Sequence, residues 1–402
     1  MNLTSVSPAR GSAASGPAWG AVLAMSLAAF VLVASEFMPV SLLSPIAADL
    51  GVTEGQAGQA ISVSGAFALL TSLCIPALAG RIDRRLLLLS LTLLMMASGT
   101  LAAFAPGYTV FMIGRAFIGV AIGGFWSLSA ATAMRLVPLH KVPRALAILN
   151  GGNALATVVA APLGSYLGAI IGWRGAFFAL IPVAALALVW KMCSFPALPA
   201  EPRAGSGNVF ALLKQPAVAL GMAAASLFFM GQFTLFTYLR PFLETVTRVD
   251  SDALTLLLLG IGVAGLLGTS LIGAVLKEGL YPTVTVIPLL MAAIALALLR
   301  FGDSLAATAV LVAAWGLVAT AAPVGWWTWL ARTLPEDAER GGGLMVAVVQ
   351  LAIAAGATVG GVLFDAQGYR ATFGVSAAIL VAAAVLTVLA GRAGRRAAGS
   401  GA

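Results

Sequence analysis

Residues 19–43 read WGAVLAMSLAAFVLVASEFMPVSLL, a long apolar run that contains a single ionisable side chain, Glu36. A helix rises 1.5 Å per residue, so about 20 such residues cross a hydrocarbon layer about 30 Å thick. The run therefore reads as a membrane-spanning helix with a carboxylate about 12 Å from its far end. An acid at that depth costs about 2.5–3.5 kcal/mol on insertion scales and marks a functional site by default. One other charge is read as lying equally deep, Arg115, about 9 Å inside a later run. The depths match, so the two side chains pair if their helices touch. A carboxyl whose solvation or neighbouring cation changes as helices move takes up and releases a proton, and Glu36 and Arg115 are the candidate proton-coupling residues.

Composition carries the membrane reading to the whole chain. Of 402 residues, 61% are hydrophobic and 9% charged, against about 25% charged in soluble domains, and mean hydropathy is +1.04. The runs are too long and too evenly apolar for transmembrane β-strands, which alternate. The net charge of +8 is spread over loops, so no nucleic-acid partner is expected. Cys74 and Cys193 both fall in apolar runs, so neither a disulfide nor a metal site is expected. No cleavable leader is expected either, because the first run is too long and many more follow. The chain has no Gly-x-x-x-x-Gly-Lys loop and no Ser-His-Asp or His/Cys cluster, which leaves no candidate for ATP use, for enzymatic chemistry or for a cofactor.

Apolar runs recur near 18–44, 57–79, 86–104, 109–133, 145–170, 174–195, 217–239, 253–275, 283–300, 305–330, 342–363 and 372–391. The reading is an all-α membrane protein of twelve transmembrane helices: a tail 1–17, a six-helix bundle 18–195, a Pro- and Gly-rich linker 196–216, a second six-helix bundle 217–391 and a tail 392–402. Of the 22 Lys and Arg residues, sixteen fall in the tails, the linker and the loops on the tails' side. Five fall on the opposite side, and Arg115 is the remaining one. By the positive-inside rule both termini are cytoplasmic.

The two bundles read as copies. At a shift of 196, Gly172-Trp173-Arg174 falls on Gly368-Tyr369-Arg370, Phe37 on Phe233, Leu43 on Leu239 and Pro45 on Pro241. Six helices per copy make parallel repeats, related by an axis along the membrane normal, as in transporters that rock two halves about a central site. Glu36 falls on Gln232. One copy keeps a titratable acid and the other a neutral amide, which suggests that the first half handles a proton and the second helps to hold a substrate.

Candidate substrate residues follow from helical faces. In the fourth run Arg115, Trp126 and Ser129 lie within about 40° of one another. In the seventh, Phe229, Gln232 and Phe236 share a face that either lines a site or meets lipid. In the tenth, Trp315 and Trp326 share a face, whereas Trp327 and Trp329, near Arg332, read as interface-belt residues. Asn150, Asn153 and Gln350 add amides at membrane depth. Aromatic plates beside amides and hydroxyls suit a flat, polar, uncharged ligand. The candidate set is Trp126, Ser129, Asn153, Gln232, Phe236, Trp315, Trp326 and Gln350. In the basic loop Gly80-Arg81-Ile82-Asp83-Arg84-Arg85, an acid among arginines reads either as ordinary positive-inside charge or as a latch on a neighbouring helix end. Asp83, Arg84 and Arg85 are the gating candidates.

With these residues, the chain resembles the major facilitator superfamily in its proton-antiporting drug-efflux branch. Gly80–Arg85 is similar to that superfamily's signature between helices 2 and 3, shortened by a spacer and a glycine. Arg115-Ala-Phe-Ile-Gly119 resembles its helix 4 motif, whose Arg is implicated in proton coupling. The helix 5 antiporter motif is altered, with Ala161-Pro162 for Gly-Pro and Ser165-Tyr166 for Gly-Gly. EFMPVSLLSP at 36–45, GGFWSLSA at 123–130, MRLVP at 134–138, GQF at 231–233, TYLRP at 237–241 and PVGW at 323–326 resemble the bacterial purine ribonucleoside efflux pumps. The resemblance implies a monomeric, multi-pass inner-membrane antiporter that exports purine ribonucleosides for protons. A sugar or drug exporter of the same branch and a proton symporter remain as alternatives.

Overall fold

In the computed structural model, which describes residues 18–79, 82–199, 209–335 and 337–399, every long apolar run is helical. In chain order the helices are α1 (Trp19–Ser41), α2 (Glu54–Ala79), α3 (Arg84–Ala103), α4 (Tyr108–Leu136), α5 and α6 (together Val142–Ser194, divided at Gly172), α7 (Pro216–Phe236), α8 (Ser251–Glu278), α9 (Leu280–Phe301), α10 (Leu305–Thr333), α11 (Ala338–Gln367) and α12 (Tyr369–Gly399). Among the described residues eleven helical stretches, α5 and α6 counted together, are long and apolar enough to cross a membrane. The expected tail 1–17, Gly80 and Arg81 of the basic loop, residues 200–208 of the linker and the last three residues lie outside the described residues.

The corners repeat as the sequence does. A continuous helix of 53 residues would run about 80 Å, far beyond a bilayer. Gly172 breaks it at φ 74°, ψ 165°, and Gly368 turns α11 into α12 at φ 76°, ψ −175°. Both conformations are closed to a residue with a Cβ. The first expected span ends early, because α1 stops at Ser41 and the chain resumes as a short helix, Leu43–Leu50. Its counterpart resumes after α7 at Leu239, 196 positions on.

One apolar core joins α1–α6 and a second joins α7–α12. The halves meet along two seams, α2 on α11 and α5 on α8. On α2, a Cβ at Gly65 would lie 3.0 Å from the Ala354 methyl of α11; on α8, a Cβ at Gly262 would lie 2.5 Å from the Val158 carbonyl of α5. Val158 and Ala354 are repeat mates at the shift of 196, and Gly262 stands one position beyond the mate of Gly65, so the seams are close copies of one another. Where α1 and α7 meet, the repeat mates Phe37 and Phe233 stack on each other, centroids 5.6 Å apart and planes 24° from parallel.

The halves are drawn together at the end away from residue 18. Thr53 Oγ1 and the Gly55 N–H, at the start of α2, donate to the Asp365 carboxylate near the end of α11 at 2.6 and 2.9 Å. Ala18 marks the other end, where its N–H donates to the Leu136 carbonyl at 2.9 Å.

Two sequence expectations are corrected here. Lys191, counted as a loop cation, is 1% exposed in α6, so Glu36 and Arg115 are not the only charges packed inside. Trp329, expected in the interface belt, is buried at 1% and donates to the Tyr281 hydroxyl at 3.3 Å. It stands three residues from Trp326 and so shares its core-facing side, whereas Trp327 points outward at 46% exposure.

Candidate functional site

The site is built on a proline. Pro39 lies inside α1 and has no N–H to give the carbonyl four residues back, that of Ser35. A carbonyl so orphaned in an apolar core needs another donor. Arg115 supplies it: Nη1 donates to the Ser35 carbonyl at 2.8 Å and Nη2 to the Glu36 carbonyl at 2.9 Å. Nε donates to the Ala60 carbonyl of α2 at 3.1 Å, and Nη2 also reaches the Ser64 hydroxyl at 3.2 Å. The guanidinium is 1% exposed, and its fixed fork of donors ties α4 to α1 and α2 at once. Arg115 thus stands beside Glu36, as the matched depths predict, but it holds the backbone rather than the carboxylate. Pro45 acts likewise six residues on: it leaves the Ser41 carbonyl without a helix donor, and Arg240, from the other half, donates to that oxygen.

The Glu36 carboxyl is buried, at 4% residue exposure, and is met by the side-chain amide of Gln350 on α11. The acid of one half is therefore in contact with an amide of the other. Among the described residues, Gln350 Oε1 has no hydrogen-bond partner, nor do Gln232 Oε1 on α7 and Trp315 Nε1 on α10. Buried polar atoms are nearly always paired, so these three, all from the second half, are ready to bind a polar ligand. Phe236 meets Phe233 edge-on at 6.2 Å.

The other expected residues are more dispersed. Trp126 is half-buried on α4, edge-on to Phe125 at 5.5 Å. The Ser129 hydroxyl donates within its own helix to the Trp126 carbonyl at 3.4 Å. Asn153 is half-buried on α5, and Asn150 is exposed. Trp326 lies in the second half's core against Phe228 and Trp329, centroids 6.3 and 6.0 Å away. Asp83 caps α3, accepting from the Arg85 N–H at 2.7 Å and from the Leu198 N–H at 3.2 Å. Arg85 donates to the Met192 carbonyl at 2.8 Å, and Arg84 is buried. These bonds fasten α3 to the end of α6, within one half.

Sequence reading missed Pro39 and Pro45 as the source of the free carbonyls, although a proline four positions after a residue is a legible signal. It also missed Lys191.

The profile of the Major Facilitator Superfamily matches residues 25–351. The chain is 62% identical over 378 residues to a protein of Pseudomonas aeruginosa named transcription regulatory protein OpdE, covering 93% of this chain and 94% of that one. It is 42% identical over 370 residues to the purine ribonucleoside efflux pump NepI of Salmonella paratyphi B, covering 92% and 93%. Among solved structures, a bacterial homologue of the human lysosomal transporter Spinster, inward-facing and unoccupied, superposes with a TM-score of 0.75 at 15% identity, covering 94% of this chain and 97% of that one.

Proposed function

The chain belongs to the major facilitator superfamily, a multi-pass membrane transporter family, and we propose that it exports purine ribonucleosides across the bacterial inner membrane in exchange for protons. The observation that carries the proton is the Glu36–Gln350 contact, an acid of one half against an amide of the other. The halves are joined at the end away from residue 18; with both termini in the cytoplasm, that end faces outward. Rocking the halves parts the α2–α11 seam, takes the Gln350 amide from the Glu36 carboxyl and brings water to it from outside. Hydration and hydrogen bonding of the carboxyl then differ between the two states, which is what couples a proton to the motion. At 100 mV each proton moving inward supplies about 2.3 kcal/mol.

The substrate reading rests on the unpartnered Gln232, Trp315 and Gln350 atoms, on the half-buried Trp126, and on the 42% identity to an efflux pump of that name. Flat heterocycles stack on indole and phenyl rings while amides read their edges. A second reading draws on the regulatory name of the Pseudomonas relative: a protein of this fold that senses a small molecule for gene control.

Inside-out vesicles with an acid interior and a pH-quenched dye test both. Added inosine should alkalinise the lumen of vesicles holding the wild type and not of those holding Glu36→Gln. A response to arabinose or a cationic drug alone would overturn the substrate. A response to inosine that survives in Glu36→Gln would overturn the role of Glu36, and no proton movement with any solute would favour the sensor.

A further inference from the structure

Among the described residues, Lys191 is the one fully buried charge that the transport reading leaves unused. Its Nζ donates to Thr92 Oγ1 of α3 at 2.8 Å. That hydroxyl's own proton goes to the Leu88 carbonyl at 2.7 Å, so its lone pair is free to accept. Nζ also stands 5.3 Å from the centre of the Phe125 ring of α4, inside the range of cation–π attraction. Among the described residues no carboxylate forms an ion pair with it. An ammonium in so apolar a place relies on the hydroxyl and the ring, and the ring cannot turn or slide without losing it. Phe125 in turn meets Trp126 edge-on, at 5.5 Å and 79°. Trp126 is the half-buried indole of α4 to which the proposed function gives a substrate contact.

We propose that Lys191 is a positioning residue: held by Thr92, it pins Phe125, and Phe125 pins the Trp126 indole in the orientation that stacks on a nucleobase. The role of Trp126 rests on the transport reading; the pinning does not. Lys191, Thr92 and the aromatic pair lie on three different helices of the first half. The ammonium therefore also makes the indole's angle depend on how α3, α4 and α6 pack.

The experiment isolates Trp126 by subtracting the emission spectrum of Trp126→Phe from that of its parent, in detergent, without substrate. In K191M the Trp126 component should shift to the red and its quenching by acrylamide should rise at least about twofold, while K191R keeps the parent values because the cation–π contact survives. An unchanged component in K191M overturns the proposal, and so does an equal change in K191R, which would mean that only packing matters. If K191M does not fold, F125L decides: it removes the ring, leaves the lysine, and should give the same change in Trp126. In the inosine assay, K191M should raise the half-saturating concentration about fivefold, part of the value of one desolvated cation–π contact, because the lysine acts on the indole only through Phe125. Its maximal rate and pH profile should not move, and the double variant with W126A should be no worse than W126A alone. A shifted pH profile would make Lys191 a proton site and overturn positioning. If the wild type ignores inosine, the substrate reading fails, and the emission arm still decides the pinning.

Discussion

At one place in the repeat, α1 carries Glu36 and α7 carries Gln232, and what surrounds the two differs in kind. Beside Glu36 the buried cation is fully engaged: Arg115 gives four hydrogen bonds, three of them to backbone carbonyls of α1 and α2. In the second half, among the described residues, polar atoms are left over: Gln232 Oε1, Trp315 Nε1 and Gln350 Oε1 are all unpartnered. The scaffolds are alike to the dihedral angle at Gly172 and Gly368, so the difference lies in equipment rather than fold. A half that spends its buried arginine on tying helices together is stiff around the acid and suited to moving one proton. A half with spare donors and acceptors is suited to reading a solute.

The sharpest way to break this division is to remove the acid. Glu36→Gln should lower inosine-driven proton movement at least about 100-fold, the scale for losing an obligatory acid–base group, with little change in thermal stability. Gln232→Leu and Trp315→Phe should act on the other side of the division, each raising the half-saturating inosine concentration about tenfold, or about 1.4 kcal/mol, with the pH profile unmoved. If either abolished proton movement instead, the halves would not divide the labour.

Arg115→Met tests the stiffness of the first half. It strands the Ser35 carbonyl, and an unsatisfied buried acceptor costs about 1–3 kcal/mol. Thermal unfolding should fall accordingly, and adding Pro39→Ala should recover part of the loss, because an alanine in place of the proline gives Ser35 its helix donor back. No recovery would mean that the proline does not set the need for the arginine.

The smallest effect lies at the Gly172 corner. There Asp49 accepts from the Trp173 indole at 3.1 Å and from Arg174, and Arg174 holds its carboxyl below the usual carboxylate range. A depressed folded-state value means that the stabilisation is present above the ordinary Asp value and is lost as pH falls through the lowered one. Both side chains are well exposed, so solvent screening keeps the contribution small. Thermal unfolding should show a slight acid-side decline in the wild type and none in Asp49→Asn. The second half has Thr245 in place of this acid and should contribute no such decline.

Nearly all of the architecture was legible in the chain. Run lengths mark the helices, and the shift of 196 marks the repeat, because both follow from bilayer thickness and from duplicated residues. Glu36 and Arg115 stood out for the same reason, as charges where apolar residues belong. Their actual relation was less legible. Matched depth suggests an ion pair, whereas the orphaned carbonyl behind Pro39 claims the guanidinium first. Lys191 was hidden by its position three residues from the end of α6, which in a sequence looks like a loop; its aliphatic stem carries the amine inward, and only packing reveals the direction. Trp329 was misplaced because nearness to Arg332 outweighed its helical phase with Trp326.

The corners at Gly172 and Gly368 have a practical bearing. Each turns one spanning helix into the next through a single glycine, so almost no chain projects beyond the membrane there. A protease applied from that side would find nothing to cut between α5 and α6 or between α11 and α12, and an affinity tag or antibody epitope inserted at either place would have to unwind a helix end. Handles for purification or labelling belong at the termini, on the opposite face.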